Sequence, residues 1–240
     1  MSQTSSAYST LRKAILECEL APGSSLAISG LKARFGFGWT PLREALPRLE
    51  SEHLVRFEAN KGYRVATVSL EGLRDLQVAR EAVETTLLAR AMTRGGDEWE
   101  ATLIAAHHLL EQVSPNTPGA PTPESLVWEE RHDAFHRALT RGADAPWLGH
   151  LAQQTADQQR RHHFFMLHSQ DVIERLEETD GPDLRRIFEQ TLGIAHHTEL
   201  MNAALARDIP KAQSLMREHI GFSLAVYEAL WPQTAGSRKG

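Results

Sequence analysis

The segment Gly36-Phe-Gly-Trp-Thr-Pro-Leu-Arg-Glu-Ala-Leu46 is the part of the chain that best predicts its fold. Gly36 suits the end of one helix, because glycine adopts the left-handed backbone conformation that helix C-caps favour. Thr40 is predicted to cap the next helix, with Pro41 in its first turn, where the missing N–H of proline costs no hydrogen bond. Leucines at helical spacing continue this helix to about Glu52.

The residues around this segment complete a recognisable order of elements. Apolar residues at helical spacing predict helices over residues 7–20 and 26–35. Two short extended stretches follow at 54–58 and 62–68, and Ala59-Asn60-Lys61 forms the turn between them. Three helices followed by a two-stranded wing are the outline of a winged helix-turn-helix, in which the third helix reads DNA.

The charge is distributed unevenly between this front part and the remainder of the chain. Residues 1–68 carry nine basic and six acidic side chains, a net charge of +3, whereas residues 69–240 carry 17 and 25, a net charge of −8. A basic front end on an acidic body favours one surface that binds a polyanion and a second part with a different role.

From residue 69 onward the pattern predicts helices and no strands. The fold class is therefore mostly α, with a winged helix-turn-helix domain at 1–68, an all-helical bundle of about six or seven helices at 69–232, and a disordered tail at 233–240. A proline-rich loop occupies 114–123. The predicted helices of the bundle span approximately residues 70–92, 97–113, 124–141, 146–168, 170–178, 182–206 and 209–230.

Composition limits the possible chemistry and location of the protein. Cys18 is the single cysteine among 240 residues, which excludes an intramolecular disulfide and any zinc site that needs two thiolates. No apolar run approaches the ~20 residues of a membrane helix, and the first residues lack the apolar core of a secretory signal. We therefore expect a soluble cytoplasmic protein without a membrane partner. Histidine is abundant, and 11 of the 12 histidines follow residue 106.

The front part resembles a known family of DNA-binding proteins. Thr40-Pro-Leu-Arg-Glu-Ala-Leu46 resembles the recognition helix of the GntR family of bacterial transcription regulators. Leu20-Ala-Pro-Gly-Ser-Ser-Leu26 resembles the connection that precedes it, and Leu54-Val-Arg and Gly62-Tyr-Arg-Val65 resemble the wing. The resemblance implies binding to double-stranded operator DNA by a homodimer that places two recognition helices in successive major grooves.

The same resemblance implies which residues contact DNA. Arg43 matches a DNA-contacting arginine of the family, although it could instead pair with a nearby glutamate on the surface. Gly38 and Trp39 depart from the family, which usually has serine or threonine and then arginine there, so the operator sequence does not follow from the resemblance. Lys32 could also hold a phosphate. The predicted DNA-binding residues are Thr40, Arg43, Trp39, Lys61, Gly62 and Arg34.

The helical part resembles the FCD effector domain of one GntR subgroup, the FadR-like regulators. The resemblance rests on Arg80-x-x-x-Glu84, on His132-Asp-Ala-Phe-His136, and on His197 and His219 in later helices. Arg131-His-Asp-Ala-Phe-His-Arg-Ala-Leu139 is most similar to a branch of carbon-starvation regulators of dicarboxylate or amino-acid catabolism.

Four histidines are the predicted metal ligands. His132 and His136 are four residues apart, so both rings project from one helix face. The resemblance adds His197 and His219, and such a set suits Zn²⁺, Ni²⁺ or Mn²⁺. The family usually has an aspartate where this chain has His132, so either His132 replaces that carboxylate or Asp133 binds instead, and the spacing favours His132. Any one of these histidines could also be an ordinary buried hydrogen-bonding residue.

The FCD resemblance also implies a small carboxylic acid as effector, bound at an open position of the metal. Arg80 and Arg161 are the predicted second anchors for its carboxylate. For Arg80 the alternative is a salt bridge with Glu84, four residues later on the same helix.

The sequence thus predicts a metabolite-responsive transcriptional repressor rather than an enzyme. Two alternatives remain open at this point. His132-Asp133 is also the dipeptide of HD-type metal-dependent hydrolases, and the histidines could equally form a metal sensor in which the cation itself is the effector.

Overall fold

The three predicted front helices and the wing are present, with shifted bounds. The computed structural model describes residues 2–115, 119–170, 172–174 and 192–230. Ser2 caps the first helix by accepting a hydrogen bond from the backbone N–H of Ser5, so this helix begins four residues earlier than predicted. The elements are α1 Gln3–Leu16, α2 Ile28–Phe35, α3 Trp39–Ser51, β1 Val55–Glu58 and β2 Gly62–Val65.

The start of α3 differs from the prediction that Thr40 is its cap. Gly38 is the N-cap residue, with φ −69° and ψ 170°, and Trp39 is the first helical residue. Thr40 and Pro41 therefore take the second and third positions. Pro41 is accepted there because the first N–H groups of a helix have no partner within the helix. Gly36 ends α2 in the left-handed conformation, at φ 74°, as predicted.

The wing is a short antiparallel hairpin that packs on the front core. Its register pairs Val55 with Val65 and Glu58 with Gly62. Asn60 and Gly62 have positive φ angles of 65° and 78°, which the tight turn requires. The buried core beneath it comes from every front element and consists mainly of Leu11, Ile15, Leu31, Leu42, Leu46, Leu49, Leu54 and Val65.

The remaining described elements are helices, as predicted. Residues 171, 175–191 and 231–240, which contain most of the predicted helix 170–178, the first part of the predicted helix 182–206 and the predicted tail 233–240, lie outside the described residues. No helix in the described parts of the chain is long and apolar enough to cross a membrane. The helices are α4 Leu70–Arg94, α5 Asp97–Glu111, α6 Pro123–Arg141, α7 Pro146–His168, α8 Ile194–Leu205 and α9 Ile209–Leu230.

The chain divides into two compact units. The first contains residues 1–69 together with residues 157–165 of α7, and the second contains residues 70–156 and 166–240. The division after Ser69 lies one residue beyond the predicted boundary. The sequence analysis did not predict that part of α7 belongs to the first unit.

Trp99 is buried in the core of the second unit and contacts several of its segments. Its indole Nε1 donates to the carbonyl oxygen of Ala138 over 3.0 Å, and the Arg207 guanidinium lies 4.6 Å from the ring centroid. The backbone of Gly95 packs directly against the ring, because a Cβ atom there would lie 2.7 Å from Trp99 Cδ2. Glycine is therefore required at this contact.

Replacing Gly95 with alanine should destabilise the second unit. The new methyl group would overlap the Trp99 ring and the carbonyl oxygen of Ala91, so we expect a loss of about 1–3 kcal/mol in urea unfolding. Gly149→Ala is the matched control, since a Cβ atom at Gly149 meets nothing within 4 Å. Equal stability of the two variants would contradict the packing argument.

Acid should destabilise the protein partly through His162, which is buried in the first unit. Burial lowers the pKa of its imidazole to about 4, whereas the unfolded chain has a value near 6.5. The unfolded state therefore binds a proton first as the pH falls. The stability that His162 contributes is complete above about pH 6.5 and is lost progressively between there and about pH 4.

A His162→Asn variant should consequently lose less stability than the wild type between pH 7.5 and pH 5. The expected difference is on the order of 2 kcal/mol in urea unfolding. Exposed His150, replaced in the same way, serves as the control and should follow the wild type. If the unfolding free energy of His162→Asn fell with pH as steeply as that of the wild type, His162 would not be a source of the acid sensitivity.

Candidate metal centre and nucleic-acid interface

The second unit brings the four predicted histidines together. His132 and His136 project from α6, His197 from α8 and His219 from α9. One nitrogen of each ring lies within 4.8 Å of the corresponding nitrogens of the other three. His197 and His219 are buried, and His132 and His136 are half-buried. Separate helices thus place four imidazoles in one small volume.

The spacing of the two rings on α6 fits a single cation. Nε2 of His132 and Nε2 of His136 lie 3.2 Å apart. Two nitrogens that bind one tetrahedral zinc ion at about 2.0–2.1 Å would be separated by about 3.3 Å. The observed separation therefore needs little adjustment for both nitrogens to bind the same ion.

Hydrogen bonding fixes the ring of His197 in the orientation that a metal ligand needs. Its Nδ1 donates to the carbonyl oxygen of Gly193 over 2.9 Å, which leaves Nε2 with its lone pair. That Nε2 is buried and has no hydrogen-bond partner among the described residues, and the same holds for Nδ1 of His219. Because an unsatisfied buried polar atom is costly, these nitrogens favour a bound cation.

The environment keeps these imidazoles neutral, which is the form that binds metal. Burial is the main cause, and it lowers the pKa of His197 to about 4. Burial and the neighbouring imidazoles lower the pKa values of His136 and His219 well below the usual range. At neutral pH the lone pairs are therefore available without the loss of a proton.

His132, and not Asp133, is the residue of its pair that joins the cluster. Trp128, one turn earlier on α6, stacks on the His132 ring with centroids 4.6 Å apart and planes at 15°. The sequence analysis missed Trp128, although its position four residues before His132 repeats the spacing of His132 and His136. The stacked indole restricts the His132 ring on one side.

Arg80 is buried and forms the salt bridge with Glu84 that the sequence analysis gave as the alternative to effector binding. Its Nε and Nη2 atoms donate to the two carboxylate oxygens of Glu84 over 2.6 and 3.3 Å, and both side chains are about nine-tenths buried. The positive charge of Arg80 is one of the influences that lower the pKa of His136, so the ion pair lies near the histidine cluster.

The structure does not group Arg161 with the histidines. Arg161 belongs to the first unit, where its guanidinium donates to the carbonyl oxygens of Ala66 and Thr67 and to Oε1 of Gln158. The Arg161 guanidinium, which was predicted to bind an effector carboxylate, therefore already donates to three oxygen atoms of the protein.

A cavity of about 300 Å³ adjoins the cluster through His197. Apolar side chains from the end of α5, from α6 and from the start of α8 contribute to its wall, and Glu111, Gln112 and Ser114 add polar groups. The sequence analysis did not identify it, because its walls come from segments far apart in the chain and carry no motif. The apolar lining residues are Leu110, Val113, Pro115, Trp128, Leu192 and Ile194.

The first turn of α3 carries an exposed set of candidate DNA contacts. Trp39, Thr40 and Arg43 are all exposed, and the Trp39 side chain is 53% accessible. Within the described residues, Arg43 forms no hydrogen bond or ion pair, so the predicted alternative of a surface salt bridge with a glutamate is not observed. The guanidinium can therefore reach a duplex without first breaking an internal contact.

The other predicted contacts have partners on the protein surface. Nζ of Lys61 at the wing tip lies 3.6 Å from the Glu58 carboxylate. Nη2 of Arg34 on α2 pairs with the Glu19 carboxylate over 2.6 Å. Both are exposed ion pairs of the kind that contributes little to stability, so a phosphate could replace the carboxylate at small cost.

Comparison with known proteins identifies both parts of the chain. Residues 3–65 match the family described as "Bacterial regulatory proteins, gntR family", and residues 75–222 match the "FCD domain". The chain is 34% identical over 216 residues to the HTH-type transcriptional repressor GlaR of Escherichia coli, which covers 89% of this chain and 90% of that protein. It is 31% identical to the uncharacterized regulator BphR of Paraburkholderia xenovorans, over 91% of this chain and 82% of the relative.

Solved structures support the same fold. The E. coli protein McbR/YncC covers 95% of this chain and 99% of its own, with a TM-score of 0.65 at 20% identity. A putative regulator GntR from Rhodococcus sp. RHA1 covers 94% and 97%, with a TM-score of 0.64 at 20% identity. The family and these relatives are DNA-binding transcriptional regulators, which sets aside the hydrolase alternative. The chain belongs to the GntR family of bacterial regulators, in the FadR-like subgroup whose winged helix-turn-helix is followed by an FCD domain.

Proposed function

We propose that this regulator is a metabolite-responsive repressor whose FCD domain binds a divalent cation and a small carboxylic acid. The convergence of four imidazoles on one volume of the second unit supports the metal most directly. Buried nitrogens of His197 and His219 that lack hydrogen-bond partners within the described residues add to that support. The described ligand set contains no thiolate, so Zn²⁺, Ni²⁺ and Mn²⁺ are the candidate ions.

The ligand set also favours an anionic effector. Four neutral imidazoles leave the full charge of a divalent cation in place, whereas a set with one aspartate would cancel part of it. A carboxylate is therefore attracted to any coordination position that the histidines leave open. Arg80 adds a second positive charge near His136, although Glu84 already binds part of its guanidinium. The proposed effector contact of Arg161 has less support, because that side chain is engaged in the first unit.

The names of two relatives support repression, and operator geometry supports a homodimer. Both GlaR and a second E. coli relative, RspR, are named transcriptional repressors. A homodimer would present two copies of α3 to successive major grooves of a pseudo-palindromic operator. Effector binding would then shift the population away from the form that binds DNA.

A second candidate is a metal-sensing regulator, and the burial of the cluster favours it. All four ligands come from the protein and lie close enough to bind a cation without an organic acid. Metal titration of operator binding in the absence of any carboxylic acid separates this candidate from the first.

Replacing Arg43 with alanine should weaken operator binding about tenfold or more, because a base-edge contact contributes about 1–3 kcal/mol. Gel-shift titrations on the DNA upstream of the gene for this chain measure the effect. Lys13→Ala on α1 is the control, since the one ion pair of its exposed Nζ with the described residues is a distant one, 4.0 Å from Glu17. Unchanged affinity in Arg43→Ala would remove Arg43 from the interface.

Replacing His197 with alanine should lower metal content and abolish stabilisation by zinc. Wild-type protein that is stripped with chelator and reloaded should hold about one ion per chain and melt at a higher temperature than the stripped form. His132→Ala tests the half-buried ligand, and exposed His150→Ala is the control. Elemental analysis with a thermal-shift assay gives both readouts, and wild-type zinc content in both cluster variants would refute the site.

Small carboxylic acids should raise the melting temperature of the metal-loaded protein further. A ligand that binds only the folded state stabilises it by RT ln(1 + [L]/Kd). The same acids should give no shift with His197→Ala. A carboxylic acid panel that leaves the loaded wild type unchanged would argue against this effector class, and would favour the metal-sensing candidate if metal alone alters operator binding.

A further inference from the structure

Part of a distant helix belongs to the DNA-binding unit. Residues 157–165 of α7 group with residues 1–69, although more than 80 residues of chain separate them. The match to the gntR family ends at residue 65, and the segment lies within the match to the FCD domain at residues 75–222. The contacts of this segment therefore need an explanation of their own.

The segment holds the end of the recognition helix. Nε2 of Gln158 donates to the carbonyl oxygen of Glu52, the C-cap residue of α3, over 2.8 Å. Asp157 forms an ion pair with Arg12, whose Nε also binds the Glu52 carboxylate over 3.0 Å. Gln158 thus satisfies a carbonyl group that the end of a helix leaves without a partner in the helix.

The same segment holds the chain that leaves the wing. Arg161 is buried, and its Nη1 donates to the carbonyl oxygen of Ala66 over 2.8 Å. Its Nη2 binds Oε1 of Gln158 over 2.9 Å. Since Gln158 also binds Glu52, one pair of side chains joins the end of α3 to the residues that follow β2.

The segment makes a third connection, to the end of α1. Nη2 of Arg160 lies 3.6 Å from the carboxylate of Glu17, the residue that caps α1. Both side chains are mostly shielded from solvent, so the pair is screened less than an exposed one.

We propose that residues 157–165 are a positioning element for operator binding. The recognition helix and the wing must meet one duplex at the same time, and a two-stranded hairpin is only marginally stable by itself. Gln158 and Arg161 fix the end of the recognition helix and the exit of the wing relative to each other. Operator affinity therefore depends on a helix that begins and ends in the FCD-containing unit, and this dependence rests on the DNA-binding role of the chain.

Gln158→Ala tests the proposal in the full-length protein, with Gln154→Ala on the same helix as the matched control. The probe is a DNA duplex enriched from a random library on the wild-type protein, compared with an unselected duplex. We expect Gln158→Ala to weaken binding to the selected duplex about tenfold. Its affinity for the unselected duplex should stay within about twofold of the wild-type value. Hydrogen exchange of residues 54–68 should become faster in the same variant.

A charge exchange provides the rescue. Glu17→Arg and Arg160→Glu each place like charges together, and each should weaken selective binding, whereas the double variant restores the pair and should recover it. A purely destabilising effect would instead lower affinity for both duplexes alike.

Three results would overturn the proposal: wild-type selectivity in Gln158→Ala and both single reversals, equal losses on the two duplexes, or no recovery in the double variant. If the wild type enriches no duplex, the DNA-binding role itself fails. The positioning of the wing is then still decided by hydrogen exchange, because unchanged exchange of residues 54–68 in Gln158→Ala would refute it.

Discussion

A buried imidazole nitrogen without a hydrogen-bond partner is the constraint on which the interpretation of the second unit depends. Nε2 of His197 and Nδ1 of His219 are in this position, within the described residues, in the interior of a helical domain. Burial of such atoms costs free energy unless something satisfies them. The hydrogen bond from His197 to Gly193 shows that the ring is oriented by its other nitrogen, which is how proteins usually support a metal ligand.

Net charge differs in sign between residues 1–68 and residues 69–240. The front part carries a net charge of +3 and exposes Arg43 without an internal partner among the described residues, whereas the remainder carries −8. DNA should repel an acidic surface, so this charge distribution supports the proposal that α3 and the wing contact the duplex. In the second unit, by contrast, the positive charge of Arg80 is buried and paired with Glu84.

Local patterns made much of the fold predictable, because helix spacing, glycine caps and turn residues act over a few positions. The four histidines were predictable for a similar reason, since α6 supplies two of them at i and i+4 and the family resemblance supplied the others. The prediction that Thr40 caps α3 was wrong, since Gly38 is the N-cap residue. Both residue types are acceptable at an N-cap, and the sequence alone does not distinguish between them. The cavity beside His197 and the place of Arg161 depend on contacts between distant segments, which leave no periodic signal in the sequence.

Helix α7 also bears on how regulators of this kind can be recombined. A designer who joins the first 69 residues to another sensor would leave behind the side chains that bind the carbonyl groups of Glu52, Ala66 and Thr67. Those carbonyl groups would then be exposed to solvent or left without a hydrogen-bond donor. The transplanted winged helix-turn-helix domain would lack the contacts that join the end of α3 to the residues after β2. A chimeric regulator built from this chain would need a graft of residues 157–165 as well as the winged domain, so the portable module is discontinuous in sequence.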